Sequence, residues 1–563
     1  MTKLYNDPAD FCDDQLEGFV DLYSDRLAQV PGGVISLPPK TPQVAVIVGG
    51  GSGHYPAFAG LVGPGFASGA VVGNIFTSPS AAHVYSVAKA ADQGKGVVLT
   101  FGNYAGDNMN FGIAAKMLQA EGIDTRIVVV TDDIASAPEF DQRRGIAGDF
   151  TVFKAMGAAA AAGKDLDEVE RLGNLTNQRT RTLGVAFAGC TMPGADTPLF
   201  EVKHGQMGVG LGIHGEPGIR DEARPSAQEL GKLLVKTVLK DAPENPGGRI
   251  GVIVNGLGTT KYEELFLLYR TVAPMLREAG YEIVDPEVGE LVTSLDMGGV
   301  SLTVLWLDDE LEPLWTADAY AAAYRKQKAP LESIDKNYEV SAAAIDEESL
   351  VEARPAALDL AKRVRQASAR VADLMREQET YLGEIDSFAG DGDHGRGMVR
   401  GSEAAQTAID GAPEKAGPAA LLRIGGRAWA MQAGGTSGVL WGASLEAAAQ
   451  KIDDAAGDFS PEDLVQAVRT FADSMVTLGG AKLGDKTLLD ALLPFADALE
   501  AADGSLSEAW AEATQAAQKS AEETSELRPQ KGRARPLAEK SLGHPDPGAI
   551  SMAMILDLLG ENL

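Results

Sequence analysis

Two regimes of hydrophobic patterning divide the chain. Up to about residue 310, short unbroken apolar runs alternate with amphipathic stretches. The runs at 43–50 (QVAVIVGG), 96–100 and 126–131 each end in glycine or polar residues. Such runs read as strands buried on both faces. Between them, 80–91 and 111–120 carry helical spacing. Strands alternating with helices predict an α/β domain with a largely parallel sheet, whose ligands bind at the carboxyl ends of the strands. The theme restarts near Thr182, with strands at 184–187, 249–255, 282–284 and 302–307 and helices at 226–239 and 262–278. The pattern therefore predicts two α/β sublobes, about 1–181 and 182–330, within one region, 1–330.

Periodicity then weakens. Alanine, charged residues and isolated prolines dominate, and 331–355 reads as an interdomain linker with some helical content. Beyond it, Ala, Leu, Glu and Gln recur at helical spacing through 356–382, 417–432, 442–452, 461–477, 487–502 and 505–524. Residues 356–563 are expected to form an all-α domain of six or more amphipathic helices. Its glycine-rich loops, 390–397, 434–438, 479–487 and 543–548, fall between helices, where they can gather at one end of a bundle.

Composition narrows the function. At 563 residues the chain is too long for a single core. The 49 Lys+Arg against 80 Asp+Glu give a net charge of −31, which argues against a nucleic-acid partner or an anionic membrane. No run approaches the ~20 apolar residues of a membrane span. The N-terminus has no secretory apolar core, and only Cys12 and Cys190 are present, too few for a disulfide framework or a zinc site. A cytoplasmic protein is expected. An anionic substrate would need local compensation from metal ions and helix N-termini.

Four of the six histidines lie in glycine-dense motifs. Gly-Ile-His-Gly-Glu-Pro-Gly, 212–218, exposes His214 on a tight loop with Glu216 placed to orient it. A neutral imidazole there is a nucleophile toward a ketone carbonyl; a structural hydrogen-bonding histidine accounts for the same residues. Gly-Gly-Gly-Ser-Gly-His, 49–54, follows a strand directly, but His54-Tyr-Pro departs from the dinucleotide-binding pattern. His54 and Asp107 both end strand–loop segments and can face one pocket as a proton-exchanging pair. Asp391 and Asp393 flank one glycine, with Asp386 about a turn earlier. Three aspartates suit hard divalent cations that bridge nucleotide phosphates; an Asp-Gly turn with capping aspartates is the plainer account.

Taken together these motifs resemble the dihydroxyacetone kinase family over nearly the whole chain. The resemblance rests on 49–54, Gly106–Phe111 and 212–218 in the first region. In the second it rests on Asp386–Gly395, Gly-Asp-Lys-Thr at 484–487, and the tail from Gly532 to Gly548. It implies an ATP- and Mg2+-dependent kinase of a small ketose, and it implies that the helical domain is a barrel of eight antiparallel helices. It assigns hemiaminal formation to His214, proton transfer to His54 and Asp107, and the ketone site to Gly51, Ser52 and Gly53. Asp386, Asp391 and Asp393 would hold two Mg2+. His394, Gly395, Arg396, Gly397, Thr436, Ser437, Gly479, Leu488, Arg533, Asp546, Pro547 and Gly548 would surround the nucleotide. A homodimer is also expected.

The chain departs from the dihydroxyacetone enzymes in two places beside the ketone site: Tyr55 stands for Glu and Gly102 for Lys. Loss of the lysine is expected to leave room for another hydroxymethylene, and His-Tyr-Pro-Ala-Phe looks like the erythrulose kinases of the family. Erythrulose is thus expected ahead of dihydroxyacetone (glycerone). The rival classes are a lyase that cyclises a flavin nucleotide and a non-catalytic ketone-binding regulator.

Overall fold

A computed structural model describes residues 3–329, 353–433, 435–455, 459–531 and 538–561. The chain divides into two compact units, Met1–Glu339 and Val340–Leu563. Most of the expected linker, together with Arg533 of the nucleotide set, lies outside the described residues.

Among the described residues the first unit holds a two-stranded sheet, Ala319–Tyr320 with Arg325–Lys326, and two large sheets. One is built from β1 (Leu27–Val30), β2 (Gly33–Ser36), β3 (Ala45–Ser52), β4 (Gly69–Ile75), β5 (Val97–Gly102) and β6 (Thr125–Val130). Its order is β1-β2-β4-β3-β5-β6. The four strands β4-β3-β5-β6 run parallel, and the β1–β2 hairpin joins β4 antiparallel. Alternation along the strands splits the core between two faces. Ala45, Ile47, Val97 and Leu99 pack with the helices Ala81–Ala91 and Ala105–Ala120. Val46, Val48 and Val98 pack with Phe150, Phe153 and Met156 of the helix Gly148–Ala161. That is why both strands read as unbroken apolar runs.

The second sheet comprises β7 (Thr180–Ala188), β8 (Gln206–Val209), β9 (Arg220–Ala223), β10 (Arg249–Gly256), β11 (Glu282–Ile283), β12 (Glu287–Gly289) and β13 (Gly298–Leu307). Its order is β11-β10-β13-β7-β8-β9, with β12 also on β10. The helices Ala227–Lys240 and Tyr262–Glu278 cover one face through Leu234, Val238, Leu268 and Val272. Only β11 and β12 lie parallel to β10; the other pairs are antiparallel. The reason is connectivity. β13 follows β12 without a crossover helix, and loops alone join β7, β8 and β9.

The helix Gly148–Ala161 packs on β3, β5 and β6 of one sheet and on β7 of the other. Every residue from Gly148 to Ala160 is buried, as expected for a helix apolar on all sides.

Among the described residues, eight long helices build the second unit: Pro355–Asp386, His394–Gly411, Pro418–Ala433, Gly435–Ala449, Pro461–Gly479, Leu489–Ala501, Leu506–Glu523 and Pro547–Gly560. Each packs on the next, and the last packs on the first, closing the ring. Their apolar faces line a cavity of about 640 Å3 that includes Trp429, Trp441 and Trp510. The expected loop at 434–438 is not one: residues 435–438 are already the first turn of a helix. Close approach explains it. A Cβ on Gly426 would come 2.8 Å from the Gly442 carbonyl, so the flanking helices pack at glycine contacts.

Candidate active sites

In the first unit, two loops from different sheets bring histidines together. His54 follows β3, and His214 lies between β8 and β9. Their Nε2 atoms are 3.0 Å apart. The Thr293 carbonyl accepts from His54 Nδ1 at 2.7 Å, and Glu216 Oε1 accepts from His214 Nδ1 at 2.9 Å. A carbonyl and a carboxylate can only accept, so both Nδ1 atoms carry hydrogen. The two Nε2 atoms then face each other, and a proton placed between them would be shared by both rings.

Glu216 is bent back into the loop it belongs to. Its Oε2 accepts the His214 N–H at 3.0 Å and lies 3.8 Å from Arg144 Nη1. Burial alone would raise its pKa, but the hydrogen bond and charge of His214, with the Arg144 charge, bring it down to about 2. Two glycines permit this fold. A Cβ on Gly212 would fall 2.1 Å from Glu216 Oε2, and Gly215 sits at φ +86°. Arg144 also donates to Asp133 Oδ2 at 2.8 Å and to the Gly210 carbonyl at 3.1 Å, tying the loop to the first sheet. The Tyr104 and Phe76 rings meet His214 edge-on, with centroids 4.8 and 5.2 Å away. Arg144, Tyr104 and Phe76 had no signal in the sequence pattern.

The segment after β3 is held by the second sheet's loop. Leu295 N donates to Gly53 O at 2.7 Å, Thr293 N to His54 O at 3.2 Å, and Ala57 N to Leu291 O at 3.3 Å. The Thr293 hydroxyl adds a bond of 2.9 Å to Tyr55 O. Asp107 lies in the first turn of the helix Ala105–Ala120 and is buried. Burial raises its carboxyl despite a hydrogen bond from Ser78 and the nearby His214.

Not every expected ketone-site residue joins this group. Gly51, Ser52, Gly53 and Tyr55 line a cavity of about 280 Å3 with Phe11 and Gln15. The Tyr55 ring packs toward Phe19, 6.1 Å between centroids, and over Gly60. Gly102 is crowded at its own Cβ point. An added Cβ there would stand 3.1 Å from the Gly145 carbonyl oxygen, 3.1 Å from Tyr104 Cε2 and 3.3 Å from the Gly145 Cα.

His54 is 2% exposed, and burial together with the neighbouring His214 pushes its imidazole down to about 3. Unfolded, it protonates near ~6.5. Between those values the unfolded chain binds more protons, so His54's contribution to stability is present above ~6.5 and is lost as pH falls toward 3. The melting temperature of His54→Gln should accordingly fall less than wild type when pH drops from about 7.5 to about 4.5. Equal falls by calorimetry would contradict this.

In the second unit, loops at one end of the ring build a different pocket. Oxygens of Asp386, Asp391 and Asp393 lie within 4.8 Å of one another, a hard-oxygen set that fits a divalent cation such as Mg2+. They border a cavity of about 580 Å3, also lined by His394, Arg396, Gly397, Thr436, Ser437, Leu488, Asp546, Pro547 and Gly548. His394 Nε2 is 3.0 Å from the Ser551 hydroxyl, and Phe388 stacks on His544 at 3.6 Å. Burial pushes Asp546 up to about 7, the Ala549 N–H it accepts pulling the other way and Asp490 adding like charge. Two expected residues stand elsewhere. Gly395 is a helix-crossing glycine, where a Cβ would meet the Glu379 carbonyl at 2.1 Å, and Gly479 ends a helix beside Leu440. Lys486, at φ +60°, donates to the carbonyls of Leu527, Ser541 and His544 at 3.2, 2.7 and 2.9 Å. Its ammonium fastens the tail to the pocket.

A unit of two large sheets with two imidazoles in contact, followed by a closed helical ring with an acid-lined mouth, defines a two-domain class of protein. Comparison with known proteins makes it specific. The Dak1 domain matches residues 17–323 and the DAK2 domain residues 388–561. The chain is 53% identical to the D-erythrulose kinase of Mycolicibacterium smegmatis, covering 98% of this chain and 97% of that protein. It is 51% identical to the L-erythrulose kinase of Pectobacterium atrosepticum, over 100% and 97%. The crystal structure of the dihydroxyacetone kinase from C. freundii in complex with AMP-PNP and Mg2+ superposes with a TM-score of 0.61 at 30% identity, covering 100% of this chain and 99% of that one. This chain belongs to the dihydroxyacetone kinase family, with its Dak1 and DAK2 domains fused.

Proposed function

We propose that this chain is an ATP-dependent kinase of a short-chain ketose, erythrulose ahead of dihydroxyacetone, with the ketose held as a hemiaminal on His214. The 3.0 Å contact between His54 and His214, backed by Glu216, carries the reading. His214 Nε2 bonds to the carbonyl carbon, and the carbonyl π pair moves to oxygen. The proton shared by the imidazoles is the one that oxygen needs. Glu216 stabilises the imidazole as it gains positive character. Asp107, made more basic by burial, takes the proton of the hydroxyl that accepts the phosphoryl group. Asp386, Asp391 and Asp393 would hold Mg2+, which with ATP supplies charge neutralisation at the transferred phosphoryl group. A purely ketone-binding regulator has no use for those aspartates.

A panel of ketoses with ATP and Mg2+, read by ADP release, tests the reading. D- or L-erythrulose should give the highest kcat/KM, and no ketose-dependent ADP from any member would refute it.

The chain is further read as a cytoplasmic homodimer. Two free thiols, Cys12 and Cys190, suit a reducing compartment. Among the described residues, no helix is long and apolar enough to cross a membrane. Met109, Ile113 and Met117 form an exposed apolar stripe on the helix Ala105–Ala120, 63%, 52% and 38% exposed. Ile113→Lys should shift the mass measured by light scattering from dimer to monomer.

The two units are proposed to be separate folding domains. Residues 1–339 and 340–563, produced separately, should each melt cooperatively. The first should still capture ketose and the second still bind Mg–nucleotide. A half that gives no cooperative transition would refute the boundary.

A further inference from the structure

Asp149 takes no part in the chemistry above, yet it lies against it. It stands in the first turn of the helix Gly148–Ala161, is 3% exposed, and its Oδ1 has no hydrogen-bond partner. Buried polar atoms are nearly always paired, because leaving one unpaired costs more than a typical net hydrogen bond contributes.

Its position ties it to the ketose site. Oδ1 is 3.1 Å from the point where a Cβ on Gly145 would stand, and that same point is 2.4 Å from the Gly102 Cα. The carboxyl therefore abuts the Gly102–Gly145 contact, at the carboxyl ends of β5 and β6, the edge where parallel sheets bind ligands. Neither glycine places a side chain in front of it. The Gly145 carbonyl accepts from the Tyr104 hydroxyl at 3.0 Å, and the Tyr104 ring borders His214. Asp107 lies within electrostatic reach of Asp149, and its own buried Oδ1 is likewise unpartnered. Two buried, unpaired carboxyl oxygens thus lie within electrostatic reach of each other, one of them on the proposed base.

We propose that Asp149 is a specificity-determining residue of the ketose site, its Oδ1 hydrogen bonding to a hydroxyl that a four-carbon ketose carries and dihydroxyacetone lacks. The inference rests on the ketose-kinase reading. Burial, with the like charges of Asp132 and Asp107, holds the Asp149 carboxyl well above the carboxylate range. A neutral carboxyl both donates and accepts, as a sugar hydroxyl does. A site built to pair with a hydroxyl rejects the analogue without it, because its own group is left unpaired. This places a polar origin of size selection, the Asp149 carboxyl, beside Gly102.

The test compares kcat/KM for D-erythrulose, L-erythrulose and dihydroxyacetone in wild type, Asp149→Asn and Asp149→Ala. The ratio of the preferred erythrulose to dihydroxyacetone should fall at least about tenfold in Asp149→Ala, with Asp149→Asn between. Equal loss on both ketoses, leaving the ratio unchanged, would overturn the inference while the kinase reading stands. A wild type that turns over neither ketose refutes both. A second measurement needs no fold-compatible alanine variant. The infrared carbonyl band of a protonated carboxyl, assigned by its loss in Asp149→Asn, should shift when erythrulose is added to wild type without nucleotide, and shift less with dihydroxyacetone. The same band position with both sugars overturns the inference.

Discussion

His214→Ala should lower kcat/KM for the ketose by about a thousandfold or more, because the substitution removes the nucleophile and not merely a contact. The rest of the loop should survive. Glu216 keeps its bond to the backbone N–H at 214 and its approach to Arg144, and Arg144 keeps Asp133 and the Gly210 carbonyl. The side chain at 214 is already partly exposed, so its loss opens little cavity. The expected pattern is a folded protein with no ketose mass adduct and with Mg–nucleotide affinity retained. Ketose affinity equal to wild type in this variant would rule out covalent capture at His214.

Asp391→Asn and Asp393→Asn should each cut turnover by about 10^2–10^3-fold, the scale seen when one preorganised electrostatic group is removed from a transition state. These two are cleaner targets than Asp386. The Asp386 carboxylate also accepts the His394 N–H at 3.3 Å, so changing it disturbs the start of a helix as well. Asp391 and Asp393 are exposed. Their substitution should weaken Mg–nucleotide binding in titration calorimetry. Near-normal turnover at saturating Mg2+ would contradict the assignment.

How much of this was legible in the chain depended on the range of the interaction. Strands such as β3 and β5 announced themselves because both faces are buried. Helices with strong apolar spacing, such as Pro461–Gly479, were equally plain. The helix His394–Gly411 gave no such signal: glycines at 395, 397 and 401 dilute its propensity, and packing on the helix Pro355–Asp386 supplies what propensity does not. The antiparallel course of the second sheet depends on missing crossovers, which apolar runs do not record. In the site, Glu216 was readable because it sits two positions from His214. The partner His54 is 160 residues away, and no spacing rule reaches that far. At Gly102, composition tells that a side chain is gone, and only geometry tells that Gly145 and the Tyr104 ring crowd the position.

The interlock of 53–57 with 291–295 bears on how such a chain can change over generations. His54 is delivered by one sheet, His214 by the other, and the Thr293 carbonyl that fixes the His54 tautomer belongs to the second sheet's loops. A recombination event that exchanges either sheet for a relative's must supply matching backbone on both sides of that seam, or the imidazoles lose their register. The two sheets therefore act as one block: an exchange of either alone is expected to cost the His54–His214 contact, whereas a single side chain away from the seam can change without breaking it.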